Sequence, residues 1–200
     1  MQAATEQTGA APPATDRLDE RELLARFAAG DESAFDAIVA AHEAAVARLA
    51  RRLLGWPQDV GDVVQEVFIA AYAGLARFRG ESSLGTWLTR ITINKCRRQL
   101  RRRALRQVFQ MADARDRRLV HCGSTPDREL MNGERHARVR RAVYGLPDKY
   151  REVIVLRYLE DQSVREIAAS LAISPGAVEV RLTRARARLR QRLTAFIMED

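Results

Sequence analysis

The sequence predicts an all-α protein made of two small helical domains that a flexible linker joins, and three observations support this. Apolar residues recur three and four positions apart along most of the chain, which is the spacing of one helix face. No segment shows the alternating pattern of a half-buried strand. Residues 105–136 have mixed charge, little periodicity and the turn-prone string CGSTPD at 122–127, so they are interpreted as the linker.

The N-terminal part of the chain is expected to contain a tail and two helices. Residues 1–16 carry too little apolar surface for its burial to offset the entropy cost of ordering them, so they are interpreted as a disordered tail. The first helix is expected to end at Gly30, because glycine commonly follows the last helical residue. Asp31 or Ser33 then caps a long second helix, which ends before Gly55.

A third helix is predicted over about 62–78 and ends before Gly80. Its apolar residues fall on one face and form a buried stripe, which consists of Val63, Val64, Val67, Phe68, Ala71, Tyr72 and Leu75. The serine pair at 82–83 can cap a fourth helix. Together these four helices are expected to form a first domain over 17–104.

The fourth helix starts with apolar residues and then becomes strongly basic. No acidic residue occurs over 82–112, whereas cations accumulate there. Phe78 and Trp87 lie just before this basic run, and aromatic side chains beside a cationic groove can accept unstacked single-stranded bases. An ordinary solvated helix face, with Trp87 in the core, is the competing interpretation.

A second domain is predicted over 137–196, and its most specific feature is a helix-turn-helix. Ser163 and Glu166 have the spacing of a capping box, which opens a short helix. Ser174 then caps a final helix with Pro175 at its first position. Two helices joined by so few residues are typical of the DNA-binding helix-turn-helix.

The final helix has one narrow apolar stripe, and the residues outside the stripe are free to contact DNA. The stripe consists of Val178, Leu182, Ala185 and Leu189. The second helix of a helix-turn-helix places its N-terminal residues on base edges in the major groove. The residues able to read sequence are therefore Glu179, Val180, Arg181, Thr183 and Arg184. A solvated arginine face is the alternative.

The third helix carries a second polar surface opposite its stripe. It consists of Asp62, Gln65, Glu66 and the apolar Ile69. An acidic patch with an apolar centre suits a protein partner. An ordinary solvent-exposed helix face, with Asp62 stabilising the helix start, explains the same residues equally well. The residues alone leave both interpretations open.

Composition favours a polyanionic partner and gives little support to catalysis. The 34 Lys+Arg exceed the 26 Asp+Glu, which leaves a formal charge of +8, and all but two of these cations are arginine. No membrane span or signal peptide is visible, and the two cysteines are too few for a disulfide framework. No phosphate-binding loop, nucleophile elbow or metalloprotease motif occurs. A metal or thiol site built from Cys96, His121 and Cys122 is the weakest candidate, because the spacing matches no zinc motif.

In three segments the chain resembles the extracytoplasmic-function (ECF) group of bacterial RNA polymerase sigma factors. The first segment is DVGDVVQEVF at 59–68. The second is RFRGESSLGTWLTRI at 77–91, followed by Asn94. The third is LPDKYREVIVLRY at 146–158, which runs into SVREIA at 163–168 and RAR at 184–186.

This resemblance implies an alternative sigma factor that binds core polymerase, through its beta and beta-prime subunits, and promoter DNA. The domain at 17–104 would be sigma region 2 and the domain at 137–196 sigma region 4. Polymerase would be bound by Asp62, Gln65, Glu66 and Ile69. The minus-ten element would be bound and opened by Arg77, Phe78, Arg79, Ser82, Ser83, Trp87, Arg90, Asn94, Lys95, Arg97 and Arg98. The minus-thirty-five element would be read by Ser174, Pro175, Gly176, Glu179, Val180, Arg181, Thr183, Arg184 and Arg188.

The resemblance also implies a non-enzymatic protein without metal or cofactor. It would act in the bacterial cytoplasm in a stress response, and an anti-sigma factor could hold it inactive or at the membrane. Glu179 departs from the small or cationic residue that relatives often carry there, so promoter preference is not carried over. A stand-alone helix-turn-helix regulator is the main rival, and a zinc or thiol redox enzyme is a weaker one.

Overall fold

A computed structural model describes residues 14–113 and 132–198, and over these ranges the chain forms eight α-helices and no strand. The N-terminal four are α1 (Ala14–Ala28), α2 (Ser33–Leu54), α3 (Val60–Leu75) and α4 (Leu84–Asp113). The C-terminal four are α5 (Asn132–Tyr144), α6 (Asp148–Tyr158), α7 (Val164–Leu171) and α8 (Pro175–Met198). The all-α prediction is confirmed.

In the first domain α2, α3 and α4 pack on one another, and α1 packs on α2. Their core contains Ile38, Leu54, Val67 and Leu88, each at most 2% exposed. Burying an aliphatic side chain of this size stabilises a fold by about 1.5–3 kcal/mol. The core therefore fixes the positions from which the polar faces of α3 and α4 project.

The predicted stripe of α3 is correct except at Tyr72. The buried members are Val63, Val67, Phe68, Ala71 and Leu75, and Val64 is half-buried. Tyr72 is instead 46% exposed, and its hydroxyl donates to Glu32 over 3.2 Å. The expectation of burial was wrong because Tyr72 lies at the edge of the stripe, where its hydroxyl reaches a carboxylate at the surface.

The ends of α2 follow the sequence signals closely. Glu32 precedes α2 directly and its side chain makes no cap hydrogen bond, whereas Asp31, one residue earlier, accepts from the backbone N–H of Ser33 over 3.0 Å. At the other end Gly55 has φ +86° and donates its N–H to the carbonyl of Arg51. This left-handed conformation is the one that favours glycine after a helix.

The other boundaries differ from the predicted ones by a few residues or more. Helix α3 ends at Leu75, because Arg77 and Phe78 donate to carbonyls three residues back in a turn. Helix α4 continues to Asp113 and α5 begins at Asn132, so helix occupies both ends of the predicted linker. Similarly, α1 begins at Ala14, inside the predicted tail. The rest of the tail and linker lies outside the described residues.

The helix-turn-helix in the second domain forms as predicted. Ser163 Oγ accepts from the backbone N–H of Glu166, and the Glu166 carboxylate accepts from the backbone N–H of Ser163. This capping box opens α7. Ser174 Oγ then accepts from the backbone N–H of Ala177 over 3.2 Å, and α8 begins at Pro175. Both predicted cap serines are confirmed.

The stripe of α8 packs on α6 and α7. Val178, Leu182 and Ala185 are at most 3% exposed, and Leu189 is partly buried against the same core. Val155 and Leu156 on α6 are fully buried. The stripe orients α8 so that its remaining side chains project away from the domain.

The two domains are packed against each other. Helix α4 contacts α7, and α2 contacts α6. Arg52 on α2 donates to the carbonyl of Leu159 and to the Glu160 carboxylate, the latter over 2.9 Å. A Cβ at Gly55 would lie 2.8 Å from the ring of Tyr144, so this ring packs directly on the backbone of Gly55.

Candidate nucleic-acid and protein-binding surfaces

The polar face of α3 is exposed, and its centre is apolar. Asp62 and Gln65 are exposed, and Ile69 is 61% exposed. Tyr72 lies one turn further along, with its ring packed edge-on against Phe27 and Phe35 at 5.4 and 5.1 Å between ring centroids. The apolar pattern of α3 does not indicate this aromatic extension, because it predicts Tyr72 in the buried stripe. The polar face of α3 therefore presents the apolar side chains of Ile69 and Tyr72 together with the carboxylate of Asp62.

Glu66, the remaining member of that face, is paired within the protein. One carboxylate oxygen lies 3.3 Å from Lys95 Nζ and the other lies 3.2 Å from Arg102. Partial burial would raise the pKa of Glu66, but the hydrogen bond and charge of Lys95, with the charge of Arg102, lower it overall. Glu66 thus connects α3 to the basic side of α4.

The loop before α4 brings the two predicted aromatics together. The rings of Phe78 and Trp87 lie 5.1 Å apart between centroids. Both are partly buried against the core, and a Cβ at Gly74 would lie 3.1 Å from the Trp87 ring. Ser83 Oγ accepts from the backbone N–H of Thr86, which caps α4 as expected. Trp87 therefore supports the loop and presents only part of its ring.

Exposure differs among the predicted minus-ten residues. Arg77, Arg79, Arg90, Asn94 and Arg98 are exposed, while Ser82 and Ser83 are partly buried. Lys95 is paired with Glu66. Arg97 is also paired: its Nε and one terminal nitrogen donate to the two oxygens of Glu152 over 2.6 and 2.7 Å. The first half of the basic run of α4 thus has an exposed face, formed by Arg90, Asn94 and Arg98, with the partnered cations Lys95 and Arg97 beside it.

A cluster around Trp56, which sequence analysis did not single out, holds the middle of α4 in place. The indole N–H of Trp56 donates to Asp59 over 2.6 Å, and the Arg103 guanidinium lies 3.9 Å from the centre of the indole ring. Burial alone would raise the pKa of Asp59. The hydrogen bonds from Trp56 and Gln99 and the charge of Arg103 lower it instead.

The predicted reading surface of α8 is exposed. Ser174, Pro175, Gly176, Glu179, Thr183, Arg184 and Arg188 are exposed, Val180 is 50% exposed and Arg181 is partly buried. The first turn of α8 contains no acid, so Glu179 lies beyond the strongest part of the helix dipole. Its exposed carboxylate is free to meet a base edge.

Tyr150 lies beneath this surface and was missed because its sequence signal is that of an ordinary core residue. It is 5% exposed, and the cations of Lys149 and Arg188 lie 5.1 and 5.2 Å from the centre of its ring. Burial would raise the pKa of its hydroxyl, but the hydrogen bond with Arg184 and the nearby cations lower it. Tyr150 therefore helps to orient the arginines of α8.

The candidate thiol and metal site is not assembled in the described part of the chain. Cys96 is 1% exposed, and burial raises the pKa of its thiol to about 12. His121 and Cys122 lie outside the described residues. Over the described ranges no three His, Cys, Asp or Glu residues come together as a metal site would require. No described helix combines the length and apolar character needed to cross a bilayer.

Comparison with known proteins matches both domains. The family description Sigma-70 region 2 matches residues 38–106, and Sigma-70, region 4 matches residues 136–189. The ECF RNA polymerase sigma-E factor of Escherichia coli K12 is 35% identical over 178 residues, which cover 86% of this chain and 93% of the relative. This chain is an ECF sigma factor of the sigma-70 family. The sigma-E factor of Haemophilus influenzae is 33% identical over the same shares of both chains.

Two solved structures have a similar fold. CnrH, in complex with the cytosolic domain of CnrY, matches with a TM-score of 0.62 and 34% identity over 88% of this chain and 98% of CnrH. RpoE of Bartonella quintana, in complex with the anti-sigma factor NepR, matches with a TM-score of 0.59 and 25% identity, over 80% of this chain and 96% of RpoE. The sigma factor thus has two sigma-70 domains separated by a linker, and it serves transcription initiation. A stand-alone regulator is not favoured.

Proposed function

We propose that this ECF sigma factor recruits core RNA polymerase to promoters through two DNA-binding surfaces, one on each domain. The exposed face of α4 binds and opens the minus-ten element, and α8 reads the minus-thirty-five element. The observation that carries this proposal is the exposure of Arg90, Asn94 and Arg98 along one side of α4, in a protein whose α8 also projects its reading residues outward.

Opening of the minus-ten element is assigned to the loop and the first half of α4. Arg77 and Arg79 supply exposed cations to the backbone, and Phe78 with Trp87 offers the aromatic surface that a flipped base can stack on. Capture of flipped bases drives opening of the minus-ten element, and no nucleotide is hydrolysed. The protein therefore needs no nucleotide-binding loop for this step. The assigned residues are Arg77, Phe78, Arg79, Ser82, Ser83, Trp87, Arg90, Asn94, Lys95, Arg97 and Arg98.

The polar face of α3 is assigned to core polymerase, with contacts to its beta and beta-prime subunits. Asp62, Gln65 and Ile69 are exposed together, and the half-exposed ring of Tyr72 enlarges the apolar centre. Interfaces typically combine such an apolar centre with a polar rim. Glu66 contributes while remaining anchored to Lys95.

The second domain is assigned to direct readout of the minus-thirty-five element. Glu179, Val180, Thr183 and Arg184 are exposed in the first half of α8, where a recognition helix meets base edges. Ser174, Pro175 and Gly176 lie at its N-terminal end, where backbone N–H groups favour a phosphate. Arg181 and Arg188 complete the surface.

An anti-sigma factor is proposed as a further partner. RpoE, the similar sigma factor of Bartonella quintana, forms a complex with the anti-sigma factor NepR. CnrH binds the cytosolic domain of CnrY, an arrangement that would suit a partner that holds a cytoplasmic sigma factor at the membrane. We propose that the two domains of this chain span 17–104 and 137–196; the family matches at 38–106 and 136–189 support the larger part of each range.

The proposal is tested by adding the purified chain to core polymerase on a pool of random promoter fragments. Enrichment of fragments that share two elements about 25 base pairs apart supports it. A stand-alone regulator would instead bind a single element without polymerase and would not co-purify with it. Transcription that stays at the level of core polymerase alone contradicts the proposal.

A further inference from the structure

The inward face of α1 begins with a carboxylate at a position where helical spacing calls for an apolar side chain. Leu23, Leu24 and Phe27 of α1 pack against the hydrophobic core. Glu20 precedes them by three, four and seven residues, so it lies on the same face of the helix. Its side chain is 23% exposed and therefore largely removed from water. A charged group in such a position needs polar partners.

Glu20 meets polar groups on two other helices. One carboxylate oxygen accepts from the backbone N–H of Leu84 over 3.3 Å. The other oxygen lies 3.9 Å from Nε2 of His42 on α2, whose side chain is 21% exposed. Leu84 is the first residue of α4 and is 1% exposed. A single side chain of α1 thus approaches both α2 and the start of α4.

The hydrogen bond to Leu84 satisfies part of the N-terminal end of α4. The N–H groups of the first helical turn have no carbonyl partner within the helix and need acceptors from elsewhere. Ser83 supplies one acceptor, because its Oγ accepts from the backbone N–H of Thr86 over 3.2 Å. Glu20 supplies another from outside the helix, and its negative charge also interacts favourably with the helix dipole. The first turn of α4 is therefore held by its own cap and by α1.

The loop assigned to base capture, residues 77–83, ends at this turn. At the α3 end of the loop, Arg77 and Phe78 donate to the carbonyls of Gly74 and Leu75. Near the middle, Gly80 has φ +68°, and a Cβ there would meet no atom within 4 Å. The centre of the loop thus stands clear of the domain, so the contacts at its two ends determine where it lies. Glu20 contributes to the end at α4.

We propose that Glu20 is a positioning residue for promoter opening: it fixes the first turn of α4, so that the loop at 77–83 and the Trp87 ring are already arranged to accept a flipped base. This inference rests on the proposed assignment of that loop to the minus-ten element. Glu20 acts through Leu84 and does not contact DNA itself. Without this hydrogen bond, part of the free energy of base binding is used to order the loop, and the affinity falls.

The first test measures how tightly a single-stranded minus-ten oligonucleotide binds the holoenzyme, which is this chain assembled with core polymerase. Glu20→Ala removes the acceptor for the Leu84 N–H. We expect roughly tenfold weaker binding, the size that the loss of one hydrogen bond to a charged group produces. Glu22→Ala is the matched control, because Glu22 is an exposed glutamate of the same helix. Equal affinities of the two variants would contradict the proposal.

A second oligonucleotide separates positioning from a general loss of stability. It carries an abasic site at the position where removal of the base weakens binding of the parent most. If Glu20 acts through base capture, Glu20→Ala and the parent should bind this oligonucleotide equally well, because no base remains to be captured there. A generally damaged domain would bind both oligonucleotides more weakly by the same factor, and that result would overturn the proposal.

Two conservative variants identify the property of Glu20 that matters. Glu20→Gln keeps an oxygen acceptor of the same reach and should bind close to the parent. Glu20→Asp keeps the charge but is one methylene group shorter, so it should lose affinity as Glu20→Ala does. This comparison also stands if Glu20→Ala fails to fold, which circular dichroism would reveal. Parent-like binding by Glu20→Asp with weak binding by Glu20→Gln would show that the charge acts alone, and the positioning role would be wrong.

Promoter opening is followed on a duplex that carries 2-aminopurine in the minus-ten element. Glu20→Ala should slow the rise in fluorescence that accompanies unstacking, while binding of a minus-thirty-five duplex stays unchanged. An unchanged opening rate would overturn the proposal. Failure of the proposed function is distinguishable, because there the parent holoenzyme itself shows no preference for the minus-ten strand and no abasic site weakens its binding.

Discussion

Lys95 Nζ lies 3.3 Å from the Glu66 carboxylate, so the surface assigned to polymerase and the helix assigned to promoter DNA share an ion pair. Arg102 approaches the other oxygen of the same carboxylate at 3.2 Å. A change at Glu66 therefore alters both surfaces at once. Variants that test one surface alone must lie elsewhere on α3 or α4.

The polymerase surface is tested most directly with Asp62→Arg. Asp62 is exposed and precedes Glu66 by one turn, so reversing its charge should leave folding intact. We expect binding to core polymerase to weaken about tenfold or more, since like charges would then face each other across the interface. Glu43→Arg is the control, and equal polymerase affinity of the two variants in a competition assay would disprove the assignment. Glu66→Arg should weaken polymerase binding and also lower stability, because the new cation would face Lys95 and Arg102.

Within the minus-ten surface, Arg98 and Asn94 should have different roles. Arg98 is exposed, so Arg98→Ala removes a backbone contact without breaking the Arg97–Glu152 pair. We expect weaker binding of all single strands and a logarithmic salt dependence that is shallower by about 0.7. Asn94→Ala should instead blur one base preference. The two variants are compared by titrating each with a panel of oligonucleotides at several salt concentrations. Identical salt dependence and identical base preference of the two variants would contradict these separate roles.

Glu179 should act by reading a base. A carboxylate that accepts from cytosine N4 supplies about 1–3 kcal/mol of discrimination, so Glu179→Gln should relax one position of the minus-thirty-five element. The melting temperature should stay nearly unchanged, because Ser174 already caps α8 and the first turn contains no acid. The base preference of the parent and of Glu179→Gln is measured by selecting bound DNA from a pool with a randomised minus-thirty-five element, at one salt concentration. Identical preferences with a lowered melting temperature would show a structural role instead.

The cluster at Trp56 should make stability depend on pH through Asp59. The pKa of this carboxyl is lowered from its ordinary value of 3.8 in the folded protein. Its charge therefore stabilises the fold above about pH 4, and that contribution is lost as the pH falls through the lower folded pKa. Asp59→Asn should cost about 1 kcal/mol at neutral pH. Melting curves of the two proteins should converge once the pH falls below the lowered pKa of Asp59 in the folded state, whereas a pH-independent difference would exclude the charge as the cause.

Local signals in the sequence were sufficient to predict the starts of α7 and α8. Ser163 with Glu166 and Ser174 with Pro175 specify their helix starts by short-range hydrogen bonds, so both appear as predicted. Exposure of Ile69 followed from its position opposite the α3 stripe. The predicted stripe of α8 is also buried, because hydrophobic periodicity within one helix determines which side packs on the core.

Contacts between distant segments could not be predicted in this way. Arg97 and Glu152 are 55 residues apart, and no pattern along the chain indicates that they meet. The prediction of a buried Tyr72 was wrong because the choice between core and surface at the edge of a stripe depends on Glu32, in the turn before α2. Helical propensity likewise could not show that α4 continues to Asp113 through a stretch chosen as linker for its mixed charge.

Gly55 has a consequence for how relatives of this sigma factor would diverge. It combines a left-handed φ of +86° with the ring of Tyr144 at a distance where any side chain would collide. A substitution here would both strain the end of α2 and push the second domain away. A lineage that acquired a larger residue at this position would have to rebuild the end of α2 and the packing of Tyr144 together, so the two positions should change as a pair.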